Sequence, residues 1–190
     1  MKSLSTMRLK LFAISYLILI LVMFLLPFFT AEGYSIIRNT TSQLGAQKTP
    51  NAWIMNITFA LIGLSSIYAG WGHYEGYWFQ KIMLIIFGLS LALCAIYSHA
   101  PVNTAISFSI REDEYHSLFA STTGFGFTVL AVSTAFTKET KSEMILPISI
   151  GIIATLLSLL MFKIEMFAGI WQRMIFIFSF GWMIYEFRNN

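Results

Sequence analysis

The feature that most constrains this chain is how rarely a charged residue interrupts its apolar stretches. Of its 190 residues, 11% are charged and 57% are hydrophobic, whereas a soluble domain carries roughly 25% charged residues. Apolar runs close to the ~20 residues that cross a hydrocarbon core recur along the chain. We therefore predict an all-α integral membrane bundle of six transmembrane helices in contact with the lipid bilayer. The predicted spans are residues 11–29, 52–70, 81–98, 115–136, 144–162 and 170–187.

The first apolar run has the features of a retained membrane span. It is longer than the roughly 7–15 residues of a signal-peptide core, and no small-residue cleavage site follows it. Pro27, near its end, is expected to kink or close the helix. Pro147 is expected in the first turn of the fifth span, where a proline costs little. Because the connecting segments are short, residues 1–190 are predicted to form a single transmembrane domain.

The distribution of basic residues predicts which side of the membrane holds the termini. Six spans place both termini on one side, and the segments on that side carry seven Lys and Arg residues against four on the other. Cytoplasmic segments usually carry this excess. We therefore expect cytoplasmic termini in an inner or plasma membrane, with residues 30–51 on the outer face.

Composition also bears on function. Cys94 is the only cysteine and lies within an apolar run, so neither a disulfide framework nor a thiolate zinc site is expected. No cluster of Lys and Arg is dense enough to indicate nucleic-acid binding. The middle of each predicted span is free of charge, which disfavours an ion-coupled transporter.

The first loop, residues 30–51, holds most of the longest polar run. Asn39 and Ser42 lie three residues apart in it. Asn39 or a neighbouring threonine is expected to cap a short helix that ends at Gly45. Asn39 and Ser42 are also candidate ligand-binding residues on the outer face.

Two histidines are predicted to meet at the outer boundary of the membrane. His99 follows the third span, His116 opens the fourth, and Asp113 lies three residues before His116. If the helix begins early enough, Asp113 and His116 share one face. His99, His116 and Asp113 suit a zinc site with one open position. They equally suit acid–base chemistry by a carboxylate-oriented histidine, or a hydrogen-bonded pair at the interface.

Arg173 lies close to the start of the sixth span. A charged residue at this depth is costly unless it reaches the interface or finds a partner. It can snorkel outward, or it can face the bundle and bind a carboxylate, a loop carbonyl or a phosphate. The candidate carboxylates on the same side are Glu165, Asp113 and Glu114.

Small and hydroxylated residues recur in the fourth span. Ser117, Ser121, Gly124 and Thr128 follow one another at spacings of four, three and four, which places them on one helix face. Membrane helices approach closely at such faces. We expect this face to pack against another helix.

Residues of the first loop and the span after it also match a known pattern: Tyr34, Ser35, 39–46, 50–52, Asn56 and Phe59. With them the chain resembles domain-of-unknown-function family 998, which comprises bacterial and archaeal six-span membrane proteins. The first loop of that family typically reads N-x-I-S-x-L-G before a proline and an apolar span, and Thr41 replaces the usual isoleucine here. His116 matches the histidine that opens a later span. Gly169 and Arg173 match the Gly-x-x-x-Arg-like element of the last span. The resemblance implies that the first loop, His116 and Arg173 belong to one outer-face site.

A looser similarity is to alkaline-ceramidase-like membrane hydrolases, which use Ser, Asp and three His around zinc. This chain lacks the third outer-face histidine and the seventh span.

Two functions remain open from the sequence. In the first, the protein is not an enzyme, and an outer polar pocket with Asn39, Ser42, His116 and Arg173 binds a lipid headgroup, a small ligand or a membrane partner. In the second, it is a metal-dependent hydrolase or lipid-modifying enzyme with zinc on His99, His116 and Asp113.

Overall fold

The computed structural model describes residues 2–103 and 105–188, with side chains from residue 6 onward. Six α-helices make up most of this part of the chain, which is an all-α membrane bundle as predicted. The helices are α1 Lys2–Leu25, α2 Ala52–His73, α3 Trp78–Leu93, α4 Ile110–Ala135, α5 Lys141–Lys163 and α6 Ala168–Arg188. One-turn 3-10 helices cover Leu26–Phe29, Ser42–Gly45 and Glu165–Phe167.

Five of the six helices are long and apolar enough to cross a membrane. The exception is α3, whose 16 residues extend about 24 Å at 1.5 Å per residue. The sequence predicted this span at 81–98, but it ends at Leu93 because residues 94–97 close into tight turns. The backbone beyond it bonds to other segments, as when the His99 carbonyl accepts from the Gln47 amide.

Capping residues explain why α4 and α5 begin earlier than predicted. The Ser109 hydroxyl accepts from the Glu112 amide and starts α4 at Ile110. A capping box between Thr140 and Glu143 starts α5. The earlier start moves Pro147 from the first turn into the body of α5, so that expectation was wrong. Pro27 does close the first helix, inside the 3-10 turn that follows α1.

Each helix packs against the next, and α1 also packs against α6. The aromatic side chains of α6 reach the other helices through the interior. Phe180 lies 6.2 Å from Phe12 of α1 and 5.8 Å from Phe87 of α3, measured between ring centroids. Phe176 meets Phe59 of α2 in the same way. Helix α6 therefore organises the core of the bundle.

Glycines let α2 and α3 approach closely. A Cβ added to Gly63 would lie 2.5 Å from the Gly88 carbonyl oxygen, and one added to Gly88 would lie 2.6 Å from the Gly63 carbonyl oxygen. Backbones that come this near gain van der Waals packing, which drives helix association in membranes.

The small-residue face predicted for α4 does not pack as expected. Ser117, Ser121 and Gly124 are exposed, so the prediction was wrong for them. Gly126, two positions on, faces the neighbouring helix, where its Cβ position lies 3.2 Å from the Phe87 amide nitrogen. Only Thr128 of the predicted face reaches a partner helix, with its hydroxyl 3.3 Å from that of Thr155 in α5.

The alternating helices give the bundle two ends. The loop end carries residues 26–51, 94–109 and 164–167, and the termini end carries residues 74–77 and 136–140 together with the end of α6.

We expect Gly63→Ala to destabilise the bundle, since its Cβ would push α2 away from the Gly88 carbonyl. Overpacking of this kind costs about 1–3 kcal/mol. The thermal midpoint of the detergent-solubilised protein, read from tryptophan fluorescence, should fall. Gly124→Ala is the matched control, because no described atom lies within 4 Å of its Cβ position. Equal midpoints for the two variants would contradict the close approach of α2 and α3.

Candidate functional site

Arg173 clamps the first loop to the helix ends beneath it. It is 3% exposed, and its guanidinium donates to four carbonyl oxygens and one hydroxyl. Two of the carbonyls, those of Ile36 and Asn39, lie in the first loop at 2.9 and 3.1 Å. Another belongs to Met23, in the last turn of α1, where a cation also complements the helix dipole. The sequence left three partners open for a bundle-facing Arg173, and the loop carbonyl is the one found.

The start of α6 fits under the first loop because its residue 169 is a glycine, which has no side chain. A Cβ on Gly169 would lie 2.3 Å from the Ile36 oxygen and 2.4 Å from the Asn39 oxygen. The amides of Gly169 and Ile170 both donate to the Ile37 carbonyl, at 3.0 and 3.3 Å. The loop backbone thus supplies acceptors for N–H groups that a helix start leaves unpaired.

Gln172 fixes the next part of the loop. Its Oε1 accepts from the Thr41 amide at 2.7 Å and from the Thr41 hydroxyl at 2.5 Å. Its Nε2 lies 3.4 Å from the hydroxyl of Ser42, which is buried. Ser42 opens the predicted short helix, which does end at Gly45. Gly45 packs closely there, since a Cβ would lie 2.1 Å from Asn56 Oδ1 and the Asn56 side chain would have to move.

Asn39 is also engaged within the loop. Its Oδ1 accepts from the Ser35 amide at 2.8 Å, and its Nδ2 donates to Gln43 Oε1 at 3.1 Å. The Tyr34 hydroxyl donates to the Thr40 carbonyl and accepts from Arg173. Burial raises the pKa of this hydroxyl, and the nearby guanidinium opposes the rise.

The structure therefore places Asn39 and Ser42 in the first loop and Arg173 against that loop, and their hydrogen bonds go to the protein itself. Their common effect is to hold the shape of the first loop. A ligand at these three residues stays a prediction.

The histidines also come together at the loop end. Their ring centroids are 5.2 Å apart, and Asp113 Oδ1 lies 3.2 Å from His99 Nδ1. The same carboxylate accepts from the Ala100 amide at 2.7 Å. His116 is buried, and its Nδ1 lies 2.8 Å from the Tyr97 carbonyl oxygen. A carbonyl only accepts, so Nδ1 carries the proton and Nε2 keeps a lone pair.

The metal prediction finds limited support in this geometry. Within residues 2–103 and 105–188, no group of three or more His, Cys, Asp or Glu side chains is arranged to hold a metal ion. The Nε2 atom of His116 is buried and finds no hydrogen-bond partner in that part of the chain. Zinc on His99, His116 and Asp113 stays a prediction.

Gln47 ties the first loop to the connection between α3 and α4. Its backbone N–H donates to the His99 carbonyl. Its side-chain Nε2 donates to the carbonyls of Ser98 and Ser109 at 3.1 and 2.9 Å. Its Oε1 accepts from the Ser109 amide at 2.7 Å. This role was not predictable from the sequence, because a single glutamine in a polar loop forms no recognisable pattern.

A second polar cluster lies at the termini end. Glu186, near the end of α6, is 3% exposed. Its Oε1 lies 3.2 Å from His73 Nε2 and also accepts from Lys138 Nζ. His73 ends α2, and Lys138 lies between α4 and α5. A buried carboxylate therefore joins three separate parts of the bundle, and its two partners offset the cost of burying its charge.

A cavity of about 770 Å³ opens beside this cluster, between the ends of α2, α5 and α6. Its wall includes Glu186, Lys138 and the aromatic rings of Tyr77 and Tyr185. Tyr74 closes one side, with its hydroxyl 2.8 Å from that of Thr134. Burial raises the pKa of Tyr74, so the group stays protonated.

Sequence reasoning missed this cluster. Glu186 lies within the predicted sixth span, close to its end, and no role was predicted for it. One signal was available: the predicted topology puts Glu186, His73 and Lys138 on the same side of the membrane. A carboxylate within a predicted span is expected to pair with a cation on the same side of the membrane.

Comparison with known proteins gives one match. A family model described as a protein of unknown function (DUF998) matches residues 14–185. No curated protein matches the chain, and no solved structure matches it.

Arg173→Met should loosen the first loop, since it leaves several buried carbonyls without their donor. We expect a loss of at least about 3 kcal/mol of stability and faster trypsin cleavage after Arg38, which is exposed in the loop. The measurements are the thermal midpoint and the rate of that cleavage. Arg111→Met is the control, since Arg111 is exposed and packs on Tyr115. Unchanged cleavage in Arg173→Met would contradict the clamp.

Proposed function

The chain belongs to the DUF998 family of proteins of unknown function, and we propose that it is a multi-pass membrane protein that binds a small organic cation in the cavity at the termini end. The role is that of a binding protein, such as a sensor or an accessory subunit, and not that of an enzyme. The observation that carries the proposal is the cavity itself, with its excess of carboxylates.

The size of the cavity supports a small ligand. Its volume of about 770 Å³ falls within the roughly 300–1,000 Å³ of ligand pockets in proteins. Such pockets concentrate at the junctions between helices of a bundle. This one lies where three helices and the α4–α5 turn meet.

The charges in the wall favour a cation. Three carboxylates line the cavity, those of Glu139, Glu143 and Glu186, against the single lysine Lys138 and His73. The carboxylates outnumber the cations even if His73 is protonated. Glu186 is already paired with Lys138 and His73, so the unbalanced charge resides on Glu139 and Glu143. A ligand with a positive group would offset it.

Aromatic rings in the same wall suit such a ligand. Tyr77 and Tyr185 are 45% and 54% exposed and both line the cavity. The face of an aromatic ring attracts an ammonium group that lies over it. Carboxylates and ring faces together form the environment in which proteins commonly hold amines.

The hydrogen bonds behind the wall keep the cavity in shape. Glu186 holds the end of α2 and the α4–α5 turn in place, and Gln80 Nε2 donates to the Ser133 carbonyl at 3.0 Å nearby. A site whose frame is fixed in advance loses less entropy when a ligand binds.

The basic-residue count supports a cytoplasmic position for the termini end. The proposed ligand would then reach the cavity from the cytoplasm, and the first loop would face the opposite side of an inner or plasma membrane.

The proposal predicts that amines stabilise the purified protein. Ethanolamine, choline and putrescine would be titrated while the thermal midpoint is recorded, because a ligand of the folded state raises it. At least one should raise the midpoint of the wild type. Leu146→Trp fills the cavity with a large side chain and should abolish the rise. Glu139→Gln should weaken binding about threefold or more by removing one surface charge.

Matched controls separate this effect from general instability. Leu156→Trp changes an exposed leucine of the same helix outside the cavity, and Glu114→Gln removes an exposed carboxylate at the loop end. Both should respond to amines like the wild type. Stabilisation by acetate instead of amines, or an equal response in Leu146→Trp, would contradict the proposal.

A second candidate site is the loop end, on one specific observation. The buried Nε2 of His116 carries a lone pair and has no partner among the described residues. This supports the predicted role of His116 in binding a ligand with a hydrogen-bond donor, such as a lipid headgroup, or a metal ion shared with His99.

The metal alternative has a direct measurement. Zinc would be quantified in detergent-purified wild type and in His116→Ala. Near-stoichiometric zinc that is lost in the variant would support zinc on His99, His116 and Asp113, and with it a hydrolytic function. Absence of zinc from both would exclude that alternative.

A further inference from the structure

A second recess lies on the membrane-facing side of the bundle, where α1, α2 and α3 come together at the termini end. It is a groove of about 480 Å³. Its floor is apolar and includes Leu64, Ile67, Ile85 and Leu89. Leu64 and Leu89 are each about half exposed, so the groove is open from the side.

The cationic side chain of Arg8 lies at one end of this groove. Arg8 of α1 lines it, with the guanidinium carbon 4.9 Å from the centroid of the Tyr68 ring. The Nε atom of Arg8 is buried and finds no acceptor in the described part of the chain. Gly72 makes room for the guanidinium, since a Cβ there would lie 2.8 Å from Nη1. An acceptor brought by a group from outside the chain would satisfy this N–H.

The charge around the groove is positive. Lys81 lies close by, with its Nζ 4.7 Å from the centroid of Trp71, which also lines the groove. No acidic side chain is among the described residues that line it. This contrasts with the cavity beside Glu186, where carboxylates are in excess.

The length of the groove and the positions of its cationic and apolar residues suit an amphiphilic ligand. Arg8 and Trp71 mark its end at the membrane boundary, where tryptophan is typical. Leu64 lies seven residues deeper along α2, which corresponds to about 10 Å of helix. A molecule that fills the groove therefore has an anionic head at Arg8 and an apolar tail toward the middle of the membrane.

We propose that this groove binds an anionic glycerophospholipid of the bilayer. The phosphate accepts from the guanidinium of Arg8, whose planar fork matches phosphate oxygens. One acyl chain lies along Leu64, Ile67 and Leu89. Lys81 adds a second positive charge, so a lipid with a net negative headgroup is preferred to a zwitterionic one.

Native mass spectrometry tests this proposal. The full chain in detergent would be titrated with phosphatidylglycerol and, separately, with phosphatidylcholine of identical acyl chains. Wild type should bind phosphatidylglycerol about tenfold more tightly than it binds phosphatidylcholine. Arg8→Gln should weaken that binding at least about fivefold. Lys10→Gln removes an equal charge from the same exposed helix end outside the groove and should stay within about twofold of wild type.

A second pair of variants tests the shape of the groove without changing charge. Leu89→Trp fills the floor and should weaken phosphatidylglycerol binding, whereas Leu156→Trp, on the lipid-exposed side of α5, should not. Thermal midpoints verify that each variant is folded. The proposal is overturned if Lys10→Gln weakens binding as much as Arg8→Gln, or if Leu89→Trp binds like the wild type. It is also overturned if millimolar inorganic phosphate displaces the lipid, since the site would then recognise free phosphate.

Discussion

A guanidinium buried inside a membrane protein must find oxygen atoms nearby, and Arg173 finds them in the backbone. Its acceptors come from the end of α1, from the first loop and from the start of α6. One side chain thus donates to carbonyls from three separate segments. Gly169 is necessary to the same arrangement, because a side chain there would displace the loop. This clamp fixes the part of the loop end where α1, the first loop and α6 meet.

The two ends of the bundle use their polar residues differently. At the loop end, Arg173, Gln172 and Gln47 bond to backbone groups and hold a defined shape. At the termini end, the Glu186 cluster supports a cavity with an excess of carboxylates, while the groove beside Arg8 has an excess of cations. Opposite charges in the two recesses lead to different proposed ligands, a soluble amine in one and an anionic lipid in the other.

Hydropathy and helix punctuation predicted much of this fold. Six apolar runs became six helices, and both Pro27 and Gly45 end helical segments where expected. The packing of α4 was not predictable in the same way, because small and hydroxylated residues lie on more than one side of this helix and their spacing cannot tell which face meets protein. Gly124 faces away, while Gly126 packs. Glu186 was missed because its partners are distant in sequence.

Hydrogen–deuterium exchange, with and without a saturating amine ligand such as putrescine, tests the central division between a rigid loop end and a ligand-binding termini end. We expect the amides of residues 36–46 to exchange slowly in both samples, and added amine to slow exchange only in residues 73–77, 137–147 and 185–188. Rapid exchange in residues 36–46 without ligand, or protection by amine at the loop end, would contradict this division.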